Sequence, residues 1–591
     1  MPQRLTADRI SIANLVTHPT PLTKFGLWLM DRVMGVRQMD LLYQQHQMQG
    51  LSKEAFSDKL IEVLELELCG IAQLQQRIPA SGPVVIASNH PFGGIEGVVL
   101  ARAICEVRPD LKVLANRGLG IFKELSDYFI FTNPLSVNDP QNAPSLRQCI
   151  SHVDKGNALL LFPAGRVSHL NRENNQLVEN DWNKVVAKLA CRDNCQFVPV
   201  FVDGKNSSLF YKIERVYFKL RMFLLGRELL NKRGFKMQIA TGNPVPANLF
   251  PDTNIANNSS LCRALSYAHD PSWHYDWPED KAVAYKPLLS PIDKDILVNE
   301  IQALPQEQAL VSFKTYQVYY GYQAQMPNVV TEIARLRELV FRQHNEGSGE
   351  PIDTDEFDAT YTHLFIFDSA QKQIIGAYRM GQTDRLLAQQ GLEGLYLHKM
   401  FDFSSQFINR QQPCLEMGRS FLIPEYQGSF QGLLLLWRGI GAFASKFPQY
   451  RTLYGTVSIS KLYNPKSVKL IESVLINQDK EQGVKARTPF SFELHSEISA
   501  YLRKMNMTQT STQEKSKLLS CFLKSIELDG KDVPILVKQY QKMGAEFHEL
   551  GIDKSFNHTP GLLLSVNLAQ APTKLLKLYL GENYQAYVDY Q

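Results

Sequence analysis

Nowhere does this chain offer the roughly 18 consecutive apolar residues that a membrane-spanning helix needs. Its best candidate, "GLLLLWRGIGAFA", is interrupted by Arg438. The first twenty residues, "MPQRLTADRISIANLVTHPT", lack the apolar run of a secretory signal. The expectation is therefore a cytoplasmic protein, able at most to lie on a membrane surface. Cysteine is sparse: there are eight, and Cys191 and Cys195 are the only close pair. That pattern shows neither a disulfide framework nor a zinc-ligand spacing, and it implies no metal. A basic excess is missing too. Lys and Arg number 63 against 59 Asp and Glu, for a net charge of +4, which argues against a dedicated nucleic-acid binder.

What is present is enough chain for more than one core, since 591 residues exceed what a single hydrophobic interior organises. Residues 1–80 carry apolar positions at helical spacing, as in "LTKFGLWLMDRVMGV" and "LIEVLELELCGIAQL". From "GPVVIASNH" the texture changes to short apolar runs closed by Gly, Pro or Asn: "LKVLAN", "ALLLFPAG", "QFVPVFVDG" and "FKMQIATGNPVP". These read as buried strands alternating with helices, an α/β layer architecture. A loose, proline-rich passage then places a domain boundary near residue 285. The second half restarts with a helix, "VVTEIARLRELVFRQHN", and continues through the strands "YTHLFIFD", "QIIGAYRM", "CLEMGRSFLI" and "TLYGTVSIS". The expected division is a helical segment 1–80 that could touch a membrane, an αβ domain 81–285, and a mixed-sheet domain 286–591.

Chemistry is suggested first by "SNHPFGGIEG", where a strand ends at His90, two glycines follow, and Glu96 opens a helix. A hydroxyl attacking a thioester needs a base. Imidazole titrates near working pH, and a carboxylate at its second nitrogen fixes the tautomer. The end of a strand in an open sheet is where such a pair faces a ligand. The ordinary alternative is a strand-end histidine beside a first-turn acid of the kind helix dipoles favour.

Four ordered stretches favour chemistry. "SNHPFGGIEG" resembles the His–acid motif of the glycerolipid acyltransferases, the lysophosphatidate acyltransferase-like superfamily. "VLANRGLG", "LLFPAGRVS" and "FVPVFVDG" stand where that family has its second, third and fourth blocks. The resemblance covers about residues 80–245. It implies His90 and Glu96 as the catalytic pair, with Arg117, Gly165 and Arg166 binding substrate. Five residues separate His90 from Glu96 where the family has four before an aspartate, and Ala164 stands in place of the family's glutamate. These departures, with "RELLNKRG" (Arg227–Gly234), resemble the bacterial hemolysin-like branch.

The second constellation is "CLEMGRSFLI". Glu416 and Arg419 are three apart, so a regular strand would point them to opposite faces unless a bulge at Gly418 re-aims one. "EYQGSFQG" then leads into a long helix, whose N-terminus could receive a phosphate-bearing arm. Strand, loop and helix resemble the GNAT acyltransferases. Arg337, the Asp353–Asp355–Asp358 run, Arg379, Glu416 and Arg419 resemble the signature of acyl-homoserine-lactone synthases and, more closely, of the ornithine N-acyltransferases. The resemblance implies Glu416 as base, directly or through water. It implies Arg337 and Arg379 on a substrate carboxylate, Asp355 or Asp358 on a distal ammonium, Arg419 in substrate binding, and Gln427, Gly428 and Gly432 near the acyl-carrier arm. Each charged residue could instead serve a structural ion pair.

The two halves in this order resemble the bifunctional ornithine lipid synthases of bacteria. That resemblance implies N-acylation of an amino acid with a 3-hydroxyacyl thioester by the C-terminal half, then esterification of the 3-hydroxyl by the N-terminal half. It implies acyl carrier protein as the donor's carrier, with acyl-CoA as an alternative, a small amino acid as acceptor, and a lipid surface at the inner face of the cytoplasmic membrane as the setting. It implies no bound cofactor and no nucleic-acid partner. Two other readings stay open: a lysophospholipid acyltransferase fused to a GNAT domain for an unrelated amine, and a non-catalytic membrane-associated protein.

Overall fold

The computed structural model describes residues 20–33, 35–133, 139–140, 142–171, 177–216, 224–278, 285–427, 430–477 and 483–590. It divides into two compact units. The first comprises Met1–His274 with His495–Asn506 and Gln513–Asp532, and the second comprises Tyr275–Leu494, Met507–Thr512 and Val533–Gln591. Contacts thus assign to the first unit two stretches of the region that the sequence division placed in 286–591.

The first unit is built on a mostly parallel sheet. Its strands run in the order Glu67–Cys69, Lys236–Thr241, Gln196–Asp203, Val84–Ser88, Ala158–Leu161, Lys112–Asn116, Phe129–Thr132. Only Gln196–Asp203 with Lys236–Thr241 and a short addition at Val245–Pro246 pair antiparallel. Val84–Ser88 lies between two parallel neighbours and is buried along its whole length. That explains why "VVIAS" is a continuous run of small and apolar residues rather than an alternating one. Its C-terminal end delivers His90 to the strand-end crevice.

The helical reading of "LIEVLELELCGIAQL" is corrected. Helix Lys53–Val63 stops, Glu67–Cys69 forms an edge strand beside Lys236–Gln238, and a new helix runs Ile71–Arg77. Glu65 and Gly70 break the pattern at positive φ (49° and 90°). A Cβ on Gly70 would sit 1.9 Å from the Ile239 carbonyl oxygen, so only glycine permits this approach.

The second unit holds an eight-stranded mixed sheet in the order Ala309–Phe313, Tyr316–Gly321, Thr362–Asp368, Gln373–Gln382, Cys414–Leu422, Thr452–Ser458, Thr559–Asn567, Glu546–Asp553. One pair alone among these strands is parallel, Cys414–Met417 beside Thr452–Gly455. Parallel neighbours need a crossover, and helix Phe430–Lys446 supplies it. No described helix in either unit is long and apolar enough to cross a membrane.

Candidate active sites

In the first unit Glu96 opens helix Ile95–Cys105, and its carboxylate is folded back under the turn that precedes it. It accepts the backbone N–H groups of Phe92 (2.9 Å), Gly93 (2.9 Å) and Gly94 (3.0 Å). The His90 Nδ1 lies 2.9 Å from its Oε1, as a close charge contact rather than a straight hydrogen bond. Glu96 is wholly buried. Burial alone would raise its pKa, but the imidazole and the backbone donors hold the carboxyl down at about 2. For His90, burial opposes the charged ring. The Glu96 carboxylate outweighs it, and the imidazole's pKa is raised above its ordinary value. Gly93 stands at φ 96°, where a Cβ would press Leu225 and Val167 at 2.7 Å, so glycine at this position is a steric requirement of the turn.

Three further contacts fix the histidine. The Asn89 side chain bonds both ways with the Val202 backbone, donating at 2.8 Å and accepting at 2.7 Å. The Ser168 amide donates to the His90 carbonyl at 3.0 Å, which ties the third sequence block to the first. The His90 amide donates to Glu179, a buried carboxylate that also accepts the Trp182 indole N–H at 3.0 Å. Burial raises the Glu179 pKa. Sequence reading missed Glu179, since no spacing connects it to His90.

His90 borders a cavity of about 900 Å³, within the ~300–1,000 Å³ typical of ligand sites. Leu114, Phe122, Phe129, Leu146 and Leu229 give it apolar walls, and Gly165, Arg166 and Lys232 also line it. Such a chamber suits a fatty chain with a reactive head beside His90. Arg117 does not line it. The residue opens a 3-10 turn after strand Lys112–Asn116, is 41% exposed, and lies 3.7 Å from Asp139. Lys232 is buried, donates to the Lys205 carbonyl at 2.9 Å, and sits over the Phe92 and Phe235 rings.

In the second unit the anticipated bulge is real, displaced by one residue. Arg379 faces Gly418 and Ala377 faces Phe421, so Arg419 and Ser420 together oppose Tyr378. Arg419 takes a left-handed conformation, φ 50°. The bulge turns its side chain onto the Tyr396 and Phe556 rings, 3.5 Å from Asp353 and 3.6 Å from Asp355.

Arg337 and Arg379 are placed differently from the expectation that they bind a substrate carboxylate. Arg337 is 1% exposed and grips Asp358 with two bonds of 3.0 Å, with Asp353 3.0 Å from its Nε. Arg379 grips Asp355 at 2.5 and 3.0 Å and reaches Asp358 at 3.1 Å. Despite burial, these guanidinium groups hold the Asp355 and Asp358 carboxyls below the usual range. Both acids are committed to arginines, which leaves them ill-placed to receive a distal ammonium as well. This charged lattice sets the floor on which Arg419 rests.

Glu416 is 2% exposed, and both its oxygens are occupied. Oε1 accepts Tyr361 Oη (3.0 Å) and the Leu397 amide (3.2 Å), and Oε2 accepts Tyr454 Oη (2.6 Å). Burial raises its pKa against these bonds. Gln427 donates to the Leu422 carbonyl at 2.8 Å, and Gly432 packs helix Phe430–Lys446 close to Leu422. Gly428 lies outside the described residues.

An apolar-walled chamber beside a His–acid pair, and a mixed sheet with one parallel pair next to a buried charged lattice, are features that acyl transfer can use in each unit. Comparison with known proteins agrees. Residues 63–269 match the family described as Acyltransferase, and residues 336–438 match the Acetyltransferase (GNAT) domain. A glycine N(alpha)-acyltransferase of Bacteroides thetaiotaomicron is 28% identical over 297 residues, 47% of this chain and 86% of that protein. A lyso-glycine lipid O-acyltransferase of Phocaeicola vulgatus is 24% identical over 205 residues, 34% of this chain and 68% of that protein. An L-ornithine N(alpha)-acyltransferase of Brucella abortus is 30% identical over 139 residues, 21% of this chain and 48% of that protein. The chain is an acyltransferase that joins a domain matching the Acyltransferase family to a GNAT domain. The non-catalytic reading is thereby set aside.

Proposed function

We propose that the protein makes a two-chain aminoacyl lipid in two steps: the GNAT unit acylates the α-amine of a small amino acid with a 3-hydroxyacyl thioester, and the N-terminal unit then esterifies the exposed 3-hydroxyl. The observation that carries this reading is the coexistence, on one chain, of an imidazole–carboxylate pair at an apolar chamber and an arginine-bearing bulge in a GNAT sheet. In Phocaeicola vulgatus the names of two separate proteins divide the same pair of reactions.

In the O-acyl step, neutral His90 takes the hydroxyl proton while Glu96 holds the ring. The thioester carbon passes from sulfur to oxygen, and the proton returns to the leaving thiolate. Arg166 and Lys232 border the chamber and supply positive charge for the carboxylate that the N-acylated acceptor keeps. In the N-acyl step Arg419 takes the amino acid's carboxylate: its Nη2 donates to Tyr396 Oη at 3.2 Å, while its Nη1 donates to no described group. A helix N-terminus at Phe430 suits the phosphate of a pantetheine arm, on acyl carrier protein or on CoA.

Glycine is the favoured acceptor, because Asp355 and Asp358 are saturated by arginines and do not await a second ammonium. Ornithine is the second reading, favoured by the Brucella relative's name. Exposed, stacked Phe25 and Trp28 on helix Pro21–Val33, with Arg32 over the indole, suit contact with the inner face of the cytoplasmic membrane. Mass spectrometry of lipids from a bacterial host that lacks aminolipids tests the whole reading. Expression of the chain should add a phosphorus-free lipid with one amide and one ester chain, and altered phospholipid chains alone would support a lysophospholipid acyltransferase instead.

A further inference from the structure

We infer that Glu346, rather than Glu416, takes the proton from the amino-acid substrate in the GNAT unit; the inference rests on the N-acyl-transfer reading of that unit. Glu346 lies in the loop after helix Pro327–Gln343 and is 6% exposed. Its Oε2 accepts Ser458 Oγ at 3.3 Å, and its Oε1 accepts no hydrogen bond from a described residue. That free oxygen is what Glu416 lacks. Glu416 has three donors on its two oxygens, which leaves about one of its four lone-pair sites for a proton, on the oxygen that the Tyr454 hydroxyl already holds at 2.6 Å.

Position supports the assignment. The parallel strands Cys414–Leu422 and Thr452–Ser458 are paired only as far as Met417 and Gly455. There they press closely, for a Cβ on Gly455 would meet the Met417 carbonyl oxygen at 2.4 Å. Beyond that point no pairing between the two strands continues, and the bulge at Arg419 interrupts one of them. Arg419 and Ser458 both stand past the fork, and Glu346 is in contact or charge range of both. A carboxylate-binding guanidinium and a free carboxylate at one fork match the two charges of an α-amino acid.

The local electrostatics fit the task. Burial raises the Glu346 carboxyl to about 7, against the lowering pull of the Ser458 hydroxyl and Arg419. Arg419, from strand Cys414–Leu422, is the charged group that acts on it among the described residues. From strand Thr452–Ser458 it meets only the neutral Ser458, and Asn557 next to strand Thr559–Asn567 holds the carbonyl of neighbouring Asn345. An acid near 7 accepts from an ammonium far better than one at an ordinary carboxylate value.

The step balances. The ammonium gives one proton to the Glu346 carboxylate, and the free amine attacks the thioester carbon and forms C–N. The C–S bond then breaks, the thiolate leaves with the nitrogen's second proton, and Glu346 returns its own to solvent.

The test uses the full chain, glycine or ornithine, and 3-hydroxypalmitoyl-acyl carrier protein, with thiol release followed from pH 6 to 9.5. Amino-acid-dependent release by the unmodified protein establishes the N-acyl reading, and its absence with both amino acids removes that reading. Given release, Glu346→Gln is expected to lose about 100-fold or more in kcat/KM at pH 7. The deficit should shrink as pH rises and the amine loses its proton unaided, and the KM for the thioester should stay unchanged. Glu416→Gln should keep the wild-type pH dependence at a lower rate. Activity of Glu346→Gln within threefold of wild type at pH 7, or a loss uniform across pH, overturns the assignment.

Discussion

His90 and Glu96 meet at 2.9 Å across a turn one residue longer than their family resemblance implies. The longer loop is matched by the longer acid, whose extra methylene lets the carboxylate reach the ring while it still collects the amides of Phe92, Gly93 and Gly94. Glu96→Asp should therefore fall short of both. We expect O-acyl transfer to drop by about 100-fold, comparable to losing a positioned base, with N-acyl transfer retained. Assay of ester formation on a supplied N-(3-hydroxyacyl) amino acid checks this; wild-type rates would refute it.

The same pair sets a pH dependence. His90 works as a base only when neutral, and Glu96 raises its pKa above the ordinary value. The acid limb of O-acyl transfer should accordingly lie above about 6.5, the unperturbed value. In Glu96→Gln burial, which lowers the imidazole's pKa, is opposed only by the weaker pull of Glu179, so the limb should move to lower pH as the rate falls. Kinetics from pH 5 to 9, or NMR titration of the imidazole, gives the result; a limb that stays in place contradicts it.

Glu346 links catalysis to stability. Its pKa is raised from 4.5 to about 7 on folding, so the folded state binds the proton more tightly. The sign follows: its contribution is complete below pH 4.5 and is lost as pH rises through about 7. The loss amounts to at most about 3 kcal/mol at pH 8. Glu346→Gln, which cannot ionise, should unfold at a higher temperature than wild type at pH 8 and at nearly the same temperature at pH 4.5. A variant less stable at pH 8 would show that the side chain serves packing.

The Arg337–Asp358 contact is buried on both sides, at 1% exposure each. Removal of one partner leaves an uncompensated charge in the interior. Asp358→Ala should cost about 3–5 kcal/mol of unfolding free energy in the second unit. Denaturant titration followed by a probe in that unit measures it, and a change under 1 kcal/mol would mean the lattice is solvated.

Much of this was legible from residues alone. Strand ends, the two glycines and the Glu416–Arg419 spacing announced both sites, because each depends on local backbone geometry. Glu179 and Glu346 were not legible. Each meets its partner across a long stretch of sequence, 89 residues to His90 and 112 to Ser458, and no periodicity records such a contact. Helices Ser496–Met505 and Thr512–Ile526 fall mainly within the first unit for a similar reason. An apolar helical face shows that it is buried, not what buries it. The commitment of Arg337 and Arg379 to aspartates was hidden too, since a sequence shows charges without their pairing.

The most direct measurement is product mass spectrometry with purified full chain, 3-hydroxypalmitoyl-acyl carrier protein, a second acyl thioester and glycine or ornithine. Wild type should give an amide that is then esterified, and His90→Ala should stop at the single-chain amide. A two-chain product from His90→Ala would contradict the account.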